Sequence, residues 1–148
     1  MEPKFITGFK WIVYINQFFN KKLPKDMGIV TLEITNIGEI NQKHGHSGGD
    51  LVIQTFSSIL QNAVTGTCFI GRNGGNKFVA IIRDCTQTRV DRFLESVQTG
   101  VNERNLRHED EVIRYCIGTA FNEGDEIRTV NELLALSDKR AWENSGRR

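Results

Sequence analysis

The sequence predicts an α/β sandwich of the split βαβ kind: a mixed, mainly antiparallel central sheet flanked by helices. Three observations carry that expectation. Apolar runs rich in strand-forming residues at 27–35, 68–72, 77–82 and 112–120 alternate with segments of helical period. Two of the runs are separated by Asn73-Gly74-Gly75-Asn76, a hairpin signal, because such turns need the positive φ that Asn and Gly tolerate. No linker, low-complexity tract or internal repeat interrupts the chain, so residues 1–148 read as one domain.

Residues 8–20 place Trp11, Ile15, Phe18 and Phe19 on one stripe, which suits an amphipathic helix, and Pro24 prevents its continuation. The run 27–35 is β-branched and apolar on both faces at its start, as a strand covered on both sides should be. A short helix is expected over 37–44, with Ile37 and Ile40 on one side. After Gly45-His46-Ser47-Gly48-Gly49-Asp50 a second follows, on Val52, Phe56, Ile59, Leu60 and Ala63. The hairpin strands come next. Thr86 can cap a helix whose inner face is Val90, Phe93, Leu94, Val97 and Val101. The run 112–120 reads as another strand. Thr129 with Glu132 forms a capping box that opens a last helix through Leu133, Leu134, Ser137 and Ala141.

Composition narrows the class. Apolar residues make up 39% and charged residues 25%, and 19 Lys and Arg against 18 Asp and Glu leave a net charge of +1. Neither a nucleic-acid surface nor membrane contact by this domain is expected from that balance. Cys68, Cys85 and Cys116 are odd in number and widely spaced, which fits reduced thiols in a cytoplasmic protein better than disulfides or a zinc site. No run approaches the roughly 20 apolar residues that span a bilayer.

Glu33-Ile34-Thr35, Ile40-Asn41 and Gly45-His46-Ser47-Gly48-Gly49-Asp50 resemble, in order and spacing, a signature of the GGDEF domain of diguanylate cyclases. Arg72-Asn73-Gly74-Gly75-Asn76-Lys77-Phe78 stands where that family has Arg-Tyr-Gly-Gly-Asp-Glu-Phe. Ile6-Thr7-Gly8-Phe9 and Ser137-Asp138 with Trp142 are weaker echoes. The resemblance implies a ferredoxin-like, nucleotide-cyclase-type fold, usually found beside sensor or output domains, so that this chain would be a fragment of a larger bacterial signalling protein. It also implies a chemistry: two GTP molecules joined into cyclic di-GMP, through a homodimer that brings two half-sites together.

That chemistry needs carboxylates to hold magnesium against the triphosphate. By the resemblance, the metal positions are Glu33, the backbone carbonyl of Ile34, and Asn76 in the degenerate turn Gly74-Gly75-Asn76-Lys77-Phe78. An amide oxygen is a far weaker partner for magnesium than a carboxylate. Replacing two acids by Asn76 and Lys77 changes the local charge by +3. Like charges about 4 Å apart repel by about 4 kcal/mol at an effective dielectric of about 20, which opposes a metal. Thr35 replaces another acid, and Gly38 stands where a phosphate-contacting Lys is usual. No catalytic residues are therefore expected, and magnesium only if GTP binds. Lys77 could pair with Glu33 or be a solvated strand residue.

The resemblance assigns guanine reading to Asn41 and Asp50, both retained, so a GTP-binding regulatory module is expected, acting with other signalling domains. The same residues also have purely structural readings. Ser47 and Asp50 could cap the second helix, Asn41 could end the first, His46 could be a packing histidine, and Asn73-Gly74-Gly75-Asn76 could be kept for its turn geometry. An active cyclase with an atypical site and a ligand-free interaction scaffold are the alternatives. Thr65 and Cys68 occupy the positions of the family's inhibitory Arg-x-x-Asp site, so cyclic di-GMP reception lacks support. The Lys usual near the end of the last helix is also missing.

Overall fold

The computed structural model describes residues 5–7, 26–64, 68–72, 74–83, 85–122 and 129–146. The expected helix over 8–20 and Asn73 lie outside the described residues. The elements are β1 (Phe5–Thr7), β2 (Gly28–Ile34), α1 (Ile37–Ala63), β3 (Cys68–Arg72), β4 (Lys77–Ile82), α2 (Gln87–Arg107), β5 (Tyr115–Phe121) and α3 (Val130–Asn144). They form a five-stranded sheet in the order β1-β3-β4-β2-β5. The β1–β3 pair is parallel and the other three are antiparallel. The mixed, mainly antiparallel sheet flanked by helices is thus present.

The layers follow from residue alternation. Val30, Leu32 and Ile34 of β2 face α1 and α2, in a core that also holds Ile70, Phe78, Ala80, Val52, Phe56, Leu60, Phe93 and Val97. The alternate residues, with Ile29, Val79, Ile81 and Ala120, pack against Val130 and Leu133 of α3. β2 is therefore covered on both faces, which is why its start is apolar on both.

Three expectations change. The strand β1 was not expected; three residues carry too little pattern to show a period. The strand expected over 112–120 begins later, at Tyr115, because Val112 and Arg114 are committed to the side chain of Asn36. Asn36 Nδ2 donates to the Val112 carbonyl at 2.7 Å, and Arg114 N donates to Asn36 Oδ1 at 3.1 Å. The two helices expected over 37–44 and from 50 onward are both present within α1, separated by a kink at Gly45 (φ 73°, ψ 178°), but the second begins directly after Gly45 and not at 50.

The caps agree with the sequence. Thr86 accepts from Arg89 N at 3.1 Å, and Thr129 from Glu132 N at 3.3 Å. Such caps contribute about 1 kcal/mol each.

The last helix is fastened to the sheet along β5. Gly118 leaves room for the backbone of Ser137 and Ala141. Arg140 Nη1 donates to the Thr119 carbonyl at 2.6 Å, and Asn144 Nδ2 to the Ile117 carbonyl at 2.8 Å. Arg114 and Asn122, at the two ends of β5, both bond inward to the β2 side. By strand alternation the carbonyls of Ile117 and Thr119 point outward from the sheet. α3 thus covers part of an exposed strand edge.

Candidate functional site

The degenerate turn is built by the β3–β4 hairpin. Its strands close at Arg72↔Phe78. The tight turn itself runs Gly74-Gly75-Asn76-Lys77, with Lys77 N bonded to the Gly74 carbonyl at 3.1 Å. Gly74 and Gly75 stand at φ 77° and 52°, which only glycine adopts without cost. Arg72 Nε donates to the Gly75 carbonyl at 2.8 Å and braces the loop. Phe78 points into the core, edge-on to Phe56 with ring centroids 5.5 Å apart. It anchors the turn and is not available to a ligand.

The sheet register brings the turn to the end of β2. Ile34 N donates to the Asn76 carbonyl at 3.1 Å, which extends the β2–β4 ladder past its last paired residues, Glu33↔Lys77. The side-chain amide of Asn76 returns the contact, with Nδ2 donating to the Ile34 carbonyl. A carbonyl oxygen is only an acceptor, so the amide must present its N–H there and turn its own oxygen away.

Glu33 and Lys77 are directly opposed and so project from the same face of the sheet. That face belongs to α3. Two residues before Glu33, the hydroxyl of Thr31 lies 2.8 Å from Ser137 Oγ and donates to Asp138 Oδ1 at 3.0 Å. Lys77 Nζ stands 3.8 Å from Asp138 Oδ2, with both side chains about a third exposed. The sequence did not single out Thr31 or assign a role to Ser137-Asp138. A buried threonine on a strand looks like any β-branched residue until its facing helix is known. Among the described residues, no three His, Cys, Asp or Glu side chains gather as metal ligands.

Asn41 and Asp50 both lie on α1, on either side of the Gly45 kink. Asn41 lies inside the first half of the helix and does not end it. Its Oδ1 is buried without a hydrogen-bond partner among the described residues, and its amide occupies the space a side chain at Gly49 would need. Asp50 is exposed and sits well inside the second half, which resumes directly after Gly45. The Ser47–Asp50 cap therefore fails, because Ser47 is already helical. His46 is exposed and is not a packing histidine.

Neither the turn nor Asn41 and Asp50 line either of two other depressions. A groove of about 830 Å³ between α1 and α2 is bordered by Ile59, Asn62, Arg92, Ser96 and Glu103. A cavity of about 190 Å³ lies between the first half of α1 and residues 109–114. Beside it, buried Arg104 bonds Glu111 Oε1 at 2.7 Å, and His44 Nε2 approaches Glu111 Oε2 at 3.5 Å.

A sheet carrying a GGDEF-like turn in its β3–β4 hairpin, beside the end of β2, with helices on both faces, defines a GGDEF-type domain. The family profile described as "Diguanylate cyclase, GGDEF domain" matches residues 14–146, and the chain belongs to that family. Solved structures of similar fold include diguanylate cyclase SiaD in complex with its activator SiaC from Pseudomonas aeruginosa. It has TM-score 0.72 and 19% identity, over 83% of this chain and 48% of that one. The GGDEF domain of DgcB from Caulobacter crescentus, in complex with c-di-GMP, has TM-score 0.69 and 23% identity, over 82% and 74%.

Among curated proteins, uncharacterized membrane proteins of Staphylococcus saprophyticus and Staphylococcus epidermidis are similar. They are 25% and 27% identical over 77% and 84% of this chain, and 33% and 36% of their own length. The chain thus spans about a third of these relatives. Their names lend no support to the expectation that this domain makes no membrane contact. No helix among the described residues is long and apolar enough to cross a membrane.

Proposed function

We propose that the chain is a catalytically degenerate GGDEF domain, acting as a regulatory, GTP-binding module of a larger protein in bacterial cyclic di-GMP signalling. The observation that carries this reading is the Asn76 amide bonded to the Ile34 carbonyl. A group that would serve as a metal ligand is engaged by a neutral donor, and the neighbouring turn residue, Lys77, is a cation. Magnesium does not fit this donor set, because Glu33 is the one carboxylate left of the acids that the resemblance places there. The relatives' length and names support a domain attached to a membrane protein. The unmet acceptor of Asn41 supports retained guanine reading, since guanine N1–H and N2–H are donors it could meet after turning away from Gly49.

The test is calorimetric titration of the chain with GTP, with magnesium and with chelator, alongside an assay for pyrophosphate. Saturable heat in both buffers, abolished in Asn41→Ala and without pyrophosphate, is the expected result. Pyrophosphate and cyclic di-GMP would establish a working cyclase instead, and absence of heat in both buffers would leave a scaffold.

A further inference from the structure

We infer that Lys77 is a tethered cation standing in for a divalent metal, which fastens the GGDEF turn to α3 and closes the site to magnesium. The inference rests on the reading of the domain as non-cyclising, but concerns the site without nucleotide. Three observations converge on it. The cross-strand register sets Lys77 opposite Glu33 on the α3 face. The ammonium reaches Asp138 Oδ2 at 3.8 Å, while the other oxygen of that carboxylate accepts from Thr31 at 3.0 Å. The Asn76 amide donates to the Ile34 carbonyl.

Asn76 and Lys77 act as a matched pair. With an acid at 76, a carboxylate and the Ile34 carbonyl would face each other as two acceptors, and only a cation or a proton could join them. An amide joins them directly. With an acid at 77, Glu33, residue 77 and Asp138 would be three carboxylates on one face of the sheet, again requiring a cation. Lysine supplies one covalently, at no cost in bound-ion entropy. Magnesium requires near-octahedral oxygen ligands at about 2.0–2.1 Å and releases its water reluctantly, so a site already neutralised by lysine gives it little to bind. The position of α3 then depends on the chain's own residues and not on ion concentration.

Thermal unfolding and magnesium titration of the nucleotide-free chain test this. The wild type is expected to melt at the same temperature in magnesium chloride, in chelator and in sodium chloride of equal ionic strength, with no saturable magnesium heat. Asn76→Asp/Lys77→Glu is expected to melt lower in chelator and to recover in magnesium. Should that variant not fold, Lys77→Met carries the test. It is expected to melt roughly 3 °C lower, with Lys77→Arg keeping most of the wild-type stability. In an Asp138→Asn background, Lys77→Met is expected to lower the melting temperature by less than it does in the wild type. Saturable magnesium binding by the wild type, or an undiminished melting temperature in Lys77→Met, would overturn the proposal. Neither measurement contains GTP, so failure of GTP to bind would leave these outcomes unchanged.

Discussion

Asn76 differs from an aspartate by one NH₂ group, and that group is the one in contact with the Ile34 carbonyl. The sequence made the substitution visible; it could not show the bond, which depends on the turn placing residue 76 one step beyond the Glu33↔Lys77 pair. Asp138 was out of reach for a similar reason, since only the packing of α3 brings it to Lys77. Gly38 offers another test at this scale. Nothing lies within 4 Å of a side chain added there, so Gly38→Lys should be accommodated. It should shift the urea midpoint little, because a cation in the first turn of the helix offsets the loss of a glycine, and should tighten any GTP binding measured by calorimetry. Cys85 is a half-buried thiol whose pKa is raised from 9.0 to about 11, chiefly by burial, then by Asp26, with Arg89 opposing. It should alkylate more slowly than a free peptide thiol near pH 8, which peptide-resolved mass spectrometry would follow. Because the folded pKa lies above the unfolded one, burial of this thiol costs nothing below pH 9. Stability should fall as pH rises from 9 towards 11, as the unfolded thiol ionises first.

At the scale of elements, most strands, helices and caps were legible because each had a period and a stop signal. The break at Gly45 was legible too; the immediate restart of the helix through Gly48 and Gly49 was not. Gly45, Gly48 and Gly49 look like helix breakers, each costing about 1 kcal/mol relative to alanine. Tertiary packing overrides that cost. A side chain at Gly48 would strike His44, and one at Gly49 would strike Asn41, so the glycines let the two halves of α1 lie against each other. Gly45 supplies the backbone geometry that makes this possible. Gly45→Ala should therefore destabilise by about 1–3 kcal/mol, measured by denaturant unfolding, although its side chain would meet open space. Gly118→Ala should cost about 3 kcal/mol for the opposite reason: its backbone is ordinary, but the added methyl would meet the main chain of α3.

For the whole molecule, the order and alternation of apolar runs were enough to give the layers, because the two faces of β2 and of β4 carry separate instructions for two cores. The site drew on information of a different kind. Its parts come from β2, the β3–β4 turn and α3, and only their register relates them. The bonds from Arg140 and Asn144 to the outward carbonyls of β5 have a consequence for company as well as for architecture. An uncovered edge strand invites a neighbouring chain to add its own strand, in solution or in an aggregate. Here two side chains have already taken part of that vacancy, so a stranger approaching β5 must first displace them. Arg140→Ala/Asn144→Ala should make the domain self-associate at concentrations where the wild type sediments unchanged, a difference that analytical ultracentrifugation would resolve. The chain, on this view, guards its flank with the same helix that holds its site.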